Sequence, residues 1–282
     1  MAGSKGGKQV EALHLFPLRQ SSRRSLLLGV GALGLLAAAC NPLNQDQPSR
    51  RLLSKILSQR KVRVGYTVLA PWATKDPNTG VLQGWYVELA RTIFRPVHVE
   101  VEFIESTWAN FVAGIQTGRY DLSIVPSYPT IQRATALDFT NPISDLANSA
   151  LVRSDAPFKS VFDLNVPAIR LVAIEGEQSA EFIRSNLQRA NLRTLSTGDF
   201  PLLYSEVLAG RADAAFGYVD SIKNFVAANP GVRNIAPEPY SVLPICWATS
   251  YDAQDFRDFL NSALAYLRGN GTMRALQLKY KG

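Results

Sequence analysis

Gly118-Arg119-Tyr120-Asp121 recurs ninety-two positions later as Gly210-Arg211-Ala212-Asp213, and each copy follows the same spacing of apolar residues. These residues lie three, four and seven positions apart, which places them on one face of a helix. They are Trp108, Phe111, Val112 and Ile115 in the first copy and Phe200, Leu203, Tyr204 and Val207 in the second. Short apolar runs follow at 122–125 and 214–217, of the kind that forms strands buried by helices. Since glycine often ends a helix, each copy predicts a helix, a glycine stop and a buried strand.

Strands and helices are predicted to alternate around both copies, which is the pattern of a parallel sheet flanked by helices. Before the run at 122–125 come a strand at 61–66, a helix at 84–94, a strand at 97–103 and the first repeat helix, capped by Ser106 or Thr107. Around the run at 214–217 come a strand at 170–174, a helix at 179–188, a strand at 192–195, the second repeat helix, capped by Asp199, and a helix at 220–228. We therefore predict an α/β fold of two lobes, each a mainly parallel sheet flanked by helices, with the binding site between them.

The chain of 282 residues has the length of about two domains at ~150 residues each. Segments 143–152 and 236–249 are predicted to cross between the lobes. The last apolar stripe, from Phe256 to Leu267, has nothing after it to pair with, so we expect it to pack on the first lobe. The predicted bounds are 51–146 plus 247–282 for lobe 1 and 147–246, with the crossings, for lobe 2.

An export signal is predicted at residues 1–39, because Ser22-Arg23-Arg24 leads into an apolar run that stops at Cys40. The paired arginines resemble a twin-arginine signal, with the general secretory route as the alternative. The run before Cys40 resembles a lipobox, in which the cysteine is lipidated; cleavage without lipid is the alternative. Residues 40–50 are then a flexible tether. We expect the body outside the cytoplasm, in the periplasm or lipid-anchored on the outer face of the cytoplasmic membrane.

Charge and residue usage argue against several classes of function. Outside residues 1–39 the chain has 25 basic and 22 acidic residues, a net charge of +3, with no basic cluster of the kind that binds nucleic acid. Cys246 lies in an apolar context, where a free cysteine is usually buried. Because His98 is expected on the polar face of a strand, no base for a Ser/His/Asp or Cys/His triad is evident, and neither is a His/Cys metal site. We expect no cofactor, no metal and no nucleic acid.

A series of short motifs is spread between about residues 60 and 280. They are Gly65, Pro71-Trp72, Thr79-Gly80, Gly84, Val87-Glu88-Leu89-Ala90, Trp108, Gly118-Arg119-Tyr120-Asp121, Thr130, Arg133, Asp138-Phe139-Thr140-Asn141-Pro142, Asp163-Leu164, Gly176, Gly210-Arg211-Ala212-Asp213, Asn261, Ala263-Leu264, Gly271-Thr272 and Lys279-Tyr280. In this order they resemble one known family, the bacterial extracellular solute-binding proteins of the polar amino-acid type, family 3. The resemblance implies a type II periplasmic-binding fold, in which two lobes joined by two crossing strands close on a small solute and deliver it to an ABC permease.

The resemblance also implies roles for residues of the first lobe. Arg133 is expected to grip the carboxylate of the solute, which suits a guanidinium that offers two parallel N–H donors. Thr130 adds a hydroxyl and the backbone near Tyr128 an amide, while Trp72 and, less directly, Tyr66 are expected to pack on the solute. The alternatives are a surface arginine at a helix start, a plain helix cap at Thr130 and packing of Trp72 on its own lobe.

The second lobe departs from the family pattern at two positions. Tyr218 stands where many relatives have the aspartate that binds an α-amino group, and the nearest acid, Asp220, is either a shifted substitute or the cap of the next helix. Glu177 stands close to where relatives have a serine or threonine that touches the carboxylate. A carboxylate there repels another, unless it points outward at the helix start.

These observations favour the solute-binding component of an ABC uptake system, with a small, carboxylate-bearing, amino-acid-like ligand and no enzymatic activity. We expect a monomer whose partners are the solute, the permease and the membrane lipid. One alternative is a dehydratase-like enzyme on the same scaffold, with Glu175 or Glu177 as its acid. The other alternative is a ligand-sensing module, which the sequence does not separate from transport.

Overall fold

Strands and helices alternate along residues 51–281, the part of the chain that the computed structural model describes. The predicted export signal, the tether and Cys40 lie outside this part. Within it, none of the helices has the length and hydropathy that crossing a membrane requires. The strands are β1 Lys61–Tyr66, β2 Thr74–Lys75, β3 Leu82–Gln83, β4 Glu100–Glu105, β5 Leu122–Ser127, β6 Leu137–Phe139, β7 Ser144–Arg153, β8 Arg170–Ile174, β9 Asn191–Leu195, β10 Ala214–Tyr218, β11 Val232–Asn234 and β12 Ser241–Ser250. The α-helices are α1 Leu52–Gln59, α2 Trp85–Phe94, α3 Phe111–Gln116, α4 Ile131–Ala134, α5 Gln178–Asn186, α6 Phe200–Leu208, α7 Val219–Ala228, α8 Gln254–Gly269 and α9 Thr272–Lys281.

Both copies of the repeat form the predicted helix, glycine turn and strand. Helices α3 and α6 end just before Gly118 and Gly210, whose φ angles of 66° and 70° lie in the left-handed region that glycine adopts easily. Strands β5 and β10 follow, and every residue of both strands is buried. Burial on both faces explains why these strands are apolar without alternation.

The aspartate of each repeat is hydrogen-bonded to a neighbouring parallel strand, β1 in the first lobe and β8 in the second. Asp121 accepts a hydrogen bond from the backbone N–H of Arg63 in β1 at 3.0 Å, and Asp213 accepts one from the N–H of Arg170 in β8 at 2.8 Å. The two guanidinium groups close ion pairs with the same carboxylates at 2.7 and 2.8 Å. Hydrogen bonding from Arg170 also lowers the pKa of Asp213. The aspartate of the shared motif therefore holds β1 beside β5 in one lobe and β8 beside β10 in the other.

The strands are hydrogen-bonded in the order β4-β1-β5-β12-β7-β10-β8-β9, with β6 beside β12 and β11 beside β7. β1 pairs in parallel with β4 and β5, and β8 pairs in parallel with β9 and β10. The antiparallel strands β7 and β12 connect these two groups, because the first half of β12 pairs with β7 and its second half with β5 and β6. The predicted α/β fold of two lobes with two crossing strands is confirmed.

The C-terminal helices α8 and α9 pack against the N-terminal helices α1 and α2. The ring of Phe256 in α8 lies 6.1 Å from that of Phe94 in α2, and Asp255 accepts a hydrogen bond from the backbone N–H of Leu53 at 3.0 Å. The chain therefore returns to the β1 side of the molecule at its end. The residue bounds given above for the two lobes stay a prediction.

Two local expectations are wrong. The strand expected from residue 97 begins at Glu100, because Arg95–Val97 forms a 3-10 turn that ends at His98 with φ of 54°. His98 is therefore exposed in a turn and does not lie on a strand face. Helix α3 begins after Asn110, with no side-chain cap from Ser106, whose hydroxyl instead hydrogen-bonds that of Tyr120 at 3.0 Å. Thr107 takes part only through its backbone carbonyl.

Glu206 joins α6 to two arginines and gives the fold a pH-dependent stability. Arg211, at 2.6 Å, and Arg193 donate to its carboxylate and lower the pKa of Glu206 from 4.5 to about 2. Because the folded state has the lower pKa, this contribution is complete above about pH 4.5 and is lost as the pH falls toward 2. We expect Glu206→Gln to lower the urea midpoint at neutral pH and to change it little near pH 2. An equal loss at both pH values contradicts this assignment.

Candidate ligand-binding cleft

A cavity of about 1070 Å³ opens between the loops after β1 and β4 and the starts of α6 and α7. Loops at the carboxyl ends of parallel strands often form binding sites. The volume is close to the upper end of the roughly 300–1,000 Å³ of small-molecule sites. Its walls are residues 67–72 and 105–107 on the first lobe, and 197–201, Tyr218 and parts of 220–229 on the second.

Three aromatic side chains border this cavity where the two lobes meet. The ring centre of Trp72, after β1, lies 6.3 Å from that of Tyr218, at the end of β10, and Tyr218 lies 4.8 Å from Phe200. Trp72 therefore contacts the second lobe as well as its own. Asp220 also borders the cavity, from the first turn of α7. Tyr66 is not among the described lining residues, and its hydroxyl donates to Glu105 at 3.3 Å.

Arg133, on the short helix α4, is not among the described residues that line this cavity, and its side chain reaches the second lobe. Thr130 caps α4, since its hydroxyl oxygen accepts a hydrogen bond from the backbone N–H of Arg133 at 3.2 Å. The side chain of Arg133 is only 10% exposed, and its Nη2 donates to the carbonyl of Gly176 at 3.0 Å and to the carboxylate of Glu181 at 2.8 Å. The ring of Phe111 packs against the guanidinium at 5.3 Å. A cation of the first lobe is thus held by oxygen atoms of the second.

Gly176 brings the two lobes into close contact at the same place. Its φ angle is 78°, and a Cβ atom there would lie 2.6 Å from the backbone of Ala109, which precedes α3. Real Cβ atoms do not approach backbone that closely, and backbone atoms cannot move aside as a flexible side chain can. Any larger residue at 176 therefore conflicts with this arrangement of the lobes.

Glu177 follows Gly176 and is 1% exposed. Its carboxylate caps α5 by accepting hydrogen bonds from the backbone N–H of Ser179, at 2.7 Å, and from the Ser179 hydroxyl. The hydroxyl of Tyr218 donates to its other oxygen at 3.3 Å. Burial raises the pKa of the Glu177 carboxyl, although hydrogen bonds from Ser179 oppose this shift. Glu177 points inward, in contrast to the outward position considered from the sequence.

The structure brings some of the predicted residues together and separates others. At the lobe junction, Arg133 donates to the carbonyl of Gly176, and the next residue, Glu177, accepts a hydrogen bond from Tyr218. The ring of Tyr218 in turn lies against that of Trp72 at the cavity. The hydroxyl of Tyr128 donates to Asn148 on the crossing strand β7 at 3.0 Å. The hydrogen bonds described above for Thr130 and Tyr66 join residues of the first lobe to one another.

Sequence reasoning missed Glu181, the carboxylate on Arg133. Glu181 lies in the first turn of α5, four positions after the N-cap Glu177, and no local signal marks it as a partner of Arg133. The pairing with Arg133 also requires the two lobes to meet, and no local pattern contains that information.

Three further observations concern groups that could take part in catalysis. Residues 51–281 contain no cluster of His, Cys, Asp and Glu suited to a metal ion. Burial raises the pKa of the Cys246 thiol to about 11, so the reactive thiolate is scarce at neutral pH. Hydrogen bonding from Thr194 and Arg184 lowers the pKa of Glu175, which leaves it ionised and unsuited to act as a general acid.

Two lobes joined by crossing strands, with a cavity between their loops, define a binding protein of the type II periplasmic class. The family model of bacterial extracellular solute-binding proteins, family 3, matches residues 62–282. The chain belongs to this family, whose members act outside the cytoplasm. The family expected from the sequence is confirmed.

Among relatives, the L-cystine-binding protein TcyJ of Escherichia coli (strain K12) is 25% identical over 261 residues, covering 92% of this chain and 96% of the relative. The ABC transporter glutamine-binding protein GlnH of Bacillus subtilis (strain 168) is 22% identical over 231 residues, covering 77% of this chain and 82% of the relative. Both matches extend over most of each protein, so they concern the whole two-lobed body.

Solved structures agree with the fold. The ancestral amino acid-binding protein AncCDT-1, a precursor of cyclohexadienyl dehydratase, has a TM-score of 0.72 and 26% identity, covering 81% of this chain and 98% of that one. The cysteine-binding protein from Campylobacter jejuni has a TM-score of 0.73 and 20% identity, covering 81% of this chain and 92% of that one. The second likeness bears on the fold alone.

Proposed function

We propose that this chain is the solute-binding component of an ABC uptake system and closes its lobes on a small, carboxylate-bearing, amino-acid-like solute. One observation carries the proposal: the buried guanidinium of Arg133 crosses to the second lobe and holds the carboxylate of Glu181 at 2.8 Å. A group that holds one carboxylate there has the charge and geometry to hold that of a solute. The names of the relatives, which bind cystine and glutamine, support an amino-acid-like solute.

The solute has to displace Glu181 before Arg133 can grip its carboxylate with two hydrogen bonds. Nη2 has two hydrogens, and Gly176 and Glu181 engage both of them. A guanidinium can offer two parallel N–H donors along either of two edges, and each of these edges uses one of the two Nη2 hydrogens. The side chain of Glu181 is 39% exposed, so it can move into water. Glu181 thus competes with the solute for Arg133.

Removal of this competitor is expected to tighten binding. A partly exposed ion pair contributes up to about 1 kcal/mol, so we expect Glu181→Ala to raise the affinity for an amino acid about two- to fivefold. Calorimetry measures this change, with Glu238→Ala, which replaces an exposed glutamate, as the matched control. Weaker binding by Glu181→Ala, with the control unchanged, means that Glu181 helps to hold the solute and does not compete with it.

Closure follows from where the solute binds. A solute held by Arg133 and enclosed by Trp72 and Tyr218 touches both lobes, so it stabilises the closed form relative to the open one. The closed form then delivers the solute to the permease. The protein acts as a monomer in this scheme.

The remaining parts of the proposal rest on the sequence. Residues 1–39 direct export, with a twin-arginine-like signal, and Cys40 carries a lipid that anchors the tether 40–50 in the membrane. The lobes have the bounds 51–146 plus 247–282 and 147–246. Replacing Cys40 with serine is the test of the anchor, because it should move the protein from the membrane fraction to the soluble fraction.

One observation favours the dehydratase-like alternative. Glu177 is a buried carboxyl whose pKa burial raises, which is a property of general acids. Incubation of the purified protein with each solute that binds, followed by mass spectrometry, separates the two functions. A binding protein returns the solute unaltered, whereas an enzyme depletes it.

A thermal-shift screen of amino acids, amines and organic acids tests the proposed function. A solute at a hundred times its dissociation constant adds about 2.7 kcal/mol to the stability of the folded state. We expect at least one amino acid to raise the melting temperature of the exported protein. Stabilisation by amines alone, with no effect of any amino acid, contradicts the proposal.

A further inference from the structure

A second, smaller cavity of about 220 Å³ lies in the second lobe, at the end of the sheet where its parallel strands begin. Three arginines line it: Arg170, the first residue of β8, Arg193 in β9, and Arg211, just before β10. The ligand-binding cleft is at the other end of these strands, because Tyr218, which lines the cleft, is the last residue of β10. The arginine-lined cavity is therefore separate from the cleft.

Strand pairing brings the three arginines together. Arg170 is the register partner of Asn191 in β9, and Arg193 follows Asn191 by two positions, so Arg170 and Arg193 lie on the same face of the sheet. Arg211 comes just before β10, which pairs in parallel with β8 on the side away from β9. Three neighbouring strands thus each bring one guanidinium to the same cavity.

Two carboxylates hold these guanidinium groups in position. Asp213 accepts hydrogen bonds from Nε and Nη2 of Arg170 at 3.1 and 2.8 Å, and Glu206 accepts from Nε and Nη2 of Arg211 at 3.1 and 2.6 Å. Nη2 of Arg193 donates to the other oxygen of Glu206. Because the side chains are already ordered by these bonds, a ligand has less conformational entropy to remove when it binds.

The cluster has an excess of positive charge and of hydrogen-bond donors. Its three guanidinium groups share two carboxylates, which leaves one positive charge over. A guanidinium has five N–H donors, and within residues 51–281 the Nη1 group of each of the three arginines donates to no protein acceptor. The three side chains are 51–59% exposed, so a ligand can reach these groups from solvent.

These properties suit a phosphate group. Arginine forms strong, charge-assisted hydrogen bonds with phosphate oxygens. The oxygens of a phosphate group point in tetrahedral directions and can meet donors from three sides, whereas those of a carboxylate lie in one plane. The volume of about 220 Å³ is below the roughly 300 Å³ at which sites for whole small molecules begin, so it fits a single anionic group.

We propose that Arg170, Arg193 and Arg211 bind a phosphate group in this cavity, supplied either by phosphate in solution or by the headgroup of an anionic phospholipid. The site is distinct from the solute cleft, and the proposal does not depend on the proposed function. With a phospholipid as the source, the site holds the second lobe against a membrane surface.

Inorganic phosphate is the probe for the first source. In two-dimensional NMR of the ¹⁵N-labelled exported protein, phosphate should shift the side-chain Nε–H signals of the three arginines to saturation, whereas chloride at equal ionic strength should not. Arg193→Gln should weaken phosphate binding about three- to tenfold, as followed by the signals of Arg170 and Arg211, because it removes one charged donor from an exposed site. Arg184→Gln is the matched control, since Arg184 is 50% exposed, pairs with Glu175 at 3.0 Å and does not line this cavity.

Vesicles test the second source. The exported protein carries Cys40→Ser in this experiment, so that no attached lipid can itself bind the vesicles. If the ligand is a lipid headgroup, the protein should float with phosphatidylglycerol vesicles and not with phosphatidylcholine vesicles, and Arg193→Gln should weaken this binding while Arg184→Gln keeps it. If the ligand is free phosphate, inorganic phosphate binds and neither kind of vesicle does.

Binding from either source, weakened by Arg193→Gln, supports the proposal. A response to neither inorganic phosphate nor phosphatidylglycerol overturns it, and so does an equal effect of chloride. These results need only the natural arginines, should Arg193→Gln fail to fold. Equal binding by folded Arg193→Gln and Arg184→Gln variants also overturns the assignment of the phosphate group to this cavity.

Discussion

Replacement of Arg133 with alanine should lower the affinity for an amino acid at least tenfold and leave the fold intact. A hydrogen bond to a charged group contributes roughly 1.5–3 kcal/mol, and about 1.4 kcal/mol corresponds to a tenfold change in affinity. Loss of a two-donor grip therefore exceeds the tenfold limit. The fold tolerates the change because α4 has only four residues and the partner, Glu181, is 39% exposed and can be hydrated.

Calorimetry with an amino acid found in the thermal-shift screen measures this loss, and circular dichroism checks the fold. Arg153→Ala is the matched control, because it removes an exposed arginine that pairs only locally with Asp155 at 3.1 Å. Arg133→Lys should recover part of the affinity, since lysine keeps the charge but not the planar fork of donors. If Arg133→Ala binds the amino acid with unchanged affinity, the Arg133 guanidinium takes no part in binding the solute.

Gly176→Ala should weaken binding further, on the order of a hundredfold, because it opposes lobe closure. The new methyl group would lie 2.6 Å from the backbone of Ala109 on the other lobe. The clash exists only while the lobes are together, so it penalises the closed form and spares the open one. A closure penalty of about 3 kcal/mol lowers the apparent affinity by roughly this factor.

Gly118→Ala provides the control for backbone strain. Gly118 has a similar left-handed φ of 66°, but a Cβ atom there has no neighbour within 4 Å. Both variants should therefore lose stability from the unfavourable backbone, whereas only Gly176→Ala should lose affinity. Calorimetry and urea unfolding of the two proteins make the comparison. Equal affinities in both variants would show that binding does not require this approach of the lobes.

The two-lobed fold was predictable because its signals are local. The repeat places a helical face, a glycine and a buried strand within about twenty residues, and these features depend on propensity and burial alone. His98 was misplaced because alternation at 97–103 resembles a strand throughout, whereas the chain first completes a turn with φ of 54°. The signal that was available is Pro96, since proline favours the start of a helical turn.

The binding cleft was only partly predictable because its contacts join distant segments. Arg133 was found from a resemblance, and Tyr218 and Glu177 were noticed as departures from it. The role of Glu181 depends on how α4 and α5 meet, 48 positions apart in sequence. The inward position of Glu177 follows from its cap on α5 and from burial among tyrosines of four separate segments, which a linear pattern does not contain.

Small-angle X-ray scattering of the exported protein tests closure around a solute most directly. The radius of gyration is measured without solute and at saturation with an amino acid that stabilises the protein. We expect it to fall on binding, toward the value calculated from the structure, because the solute holds the lobes together at Arg133 and Gly176. An unchanged radius, in a sample whose thermal shift proves that the amino acid is bound, would contradict binding by lobe closure.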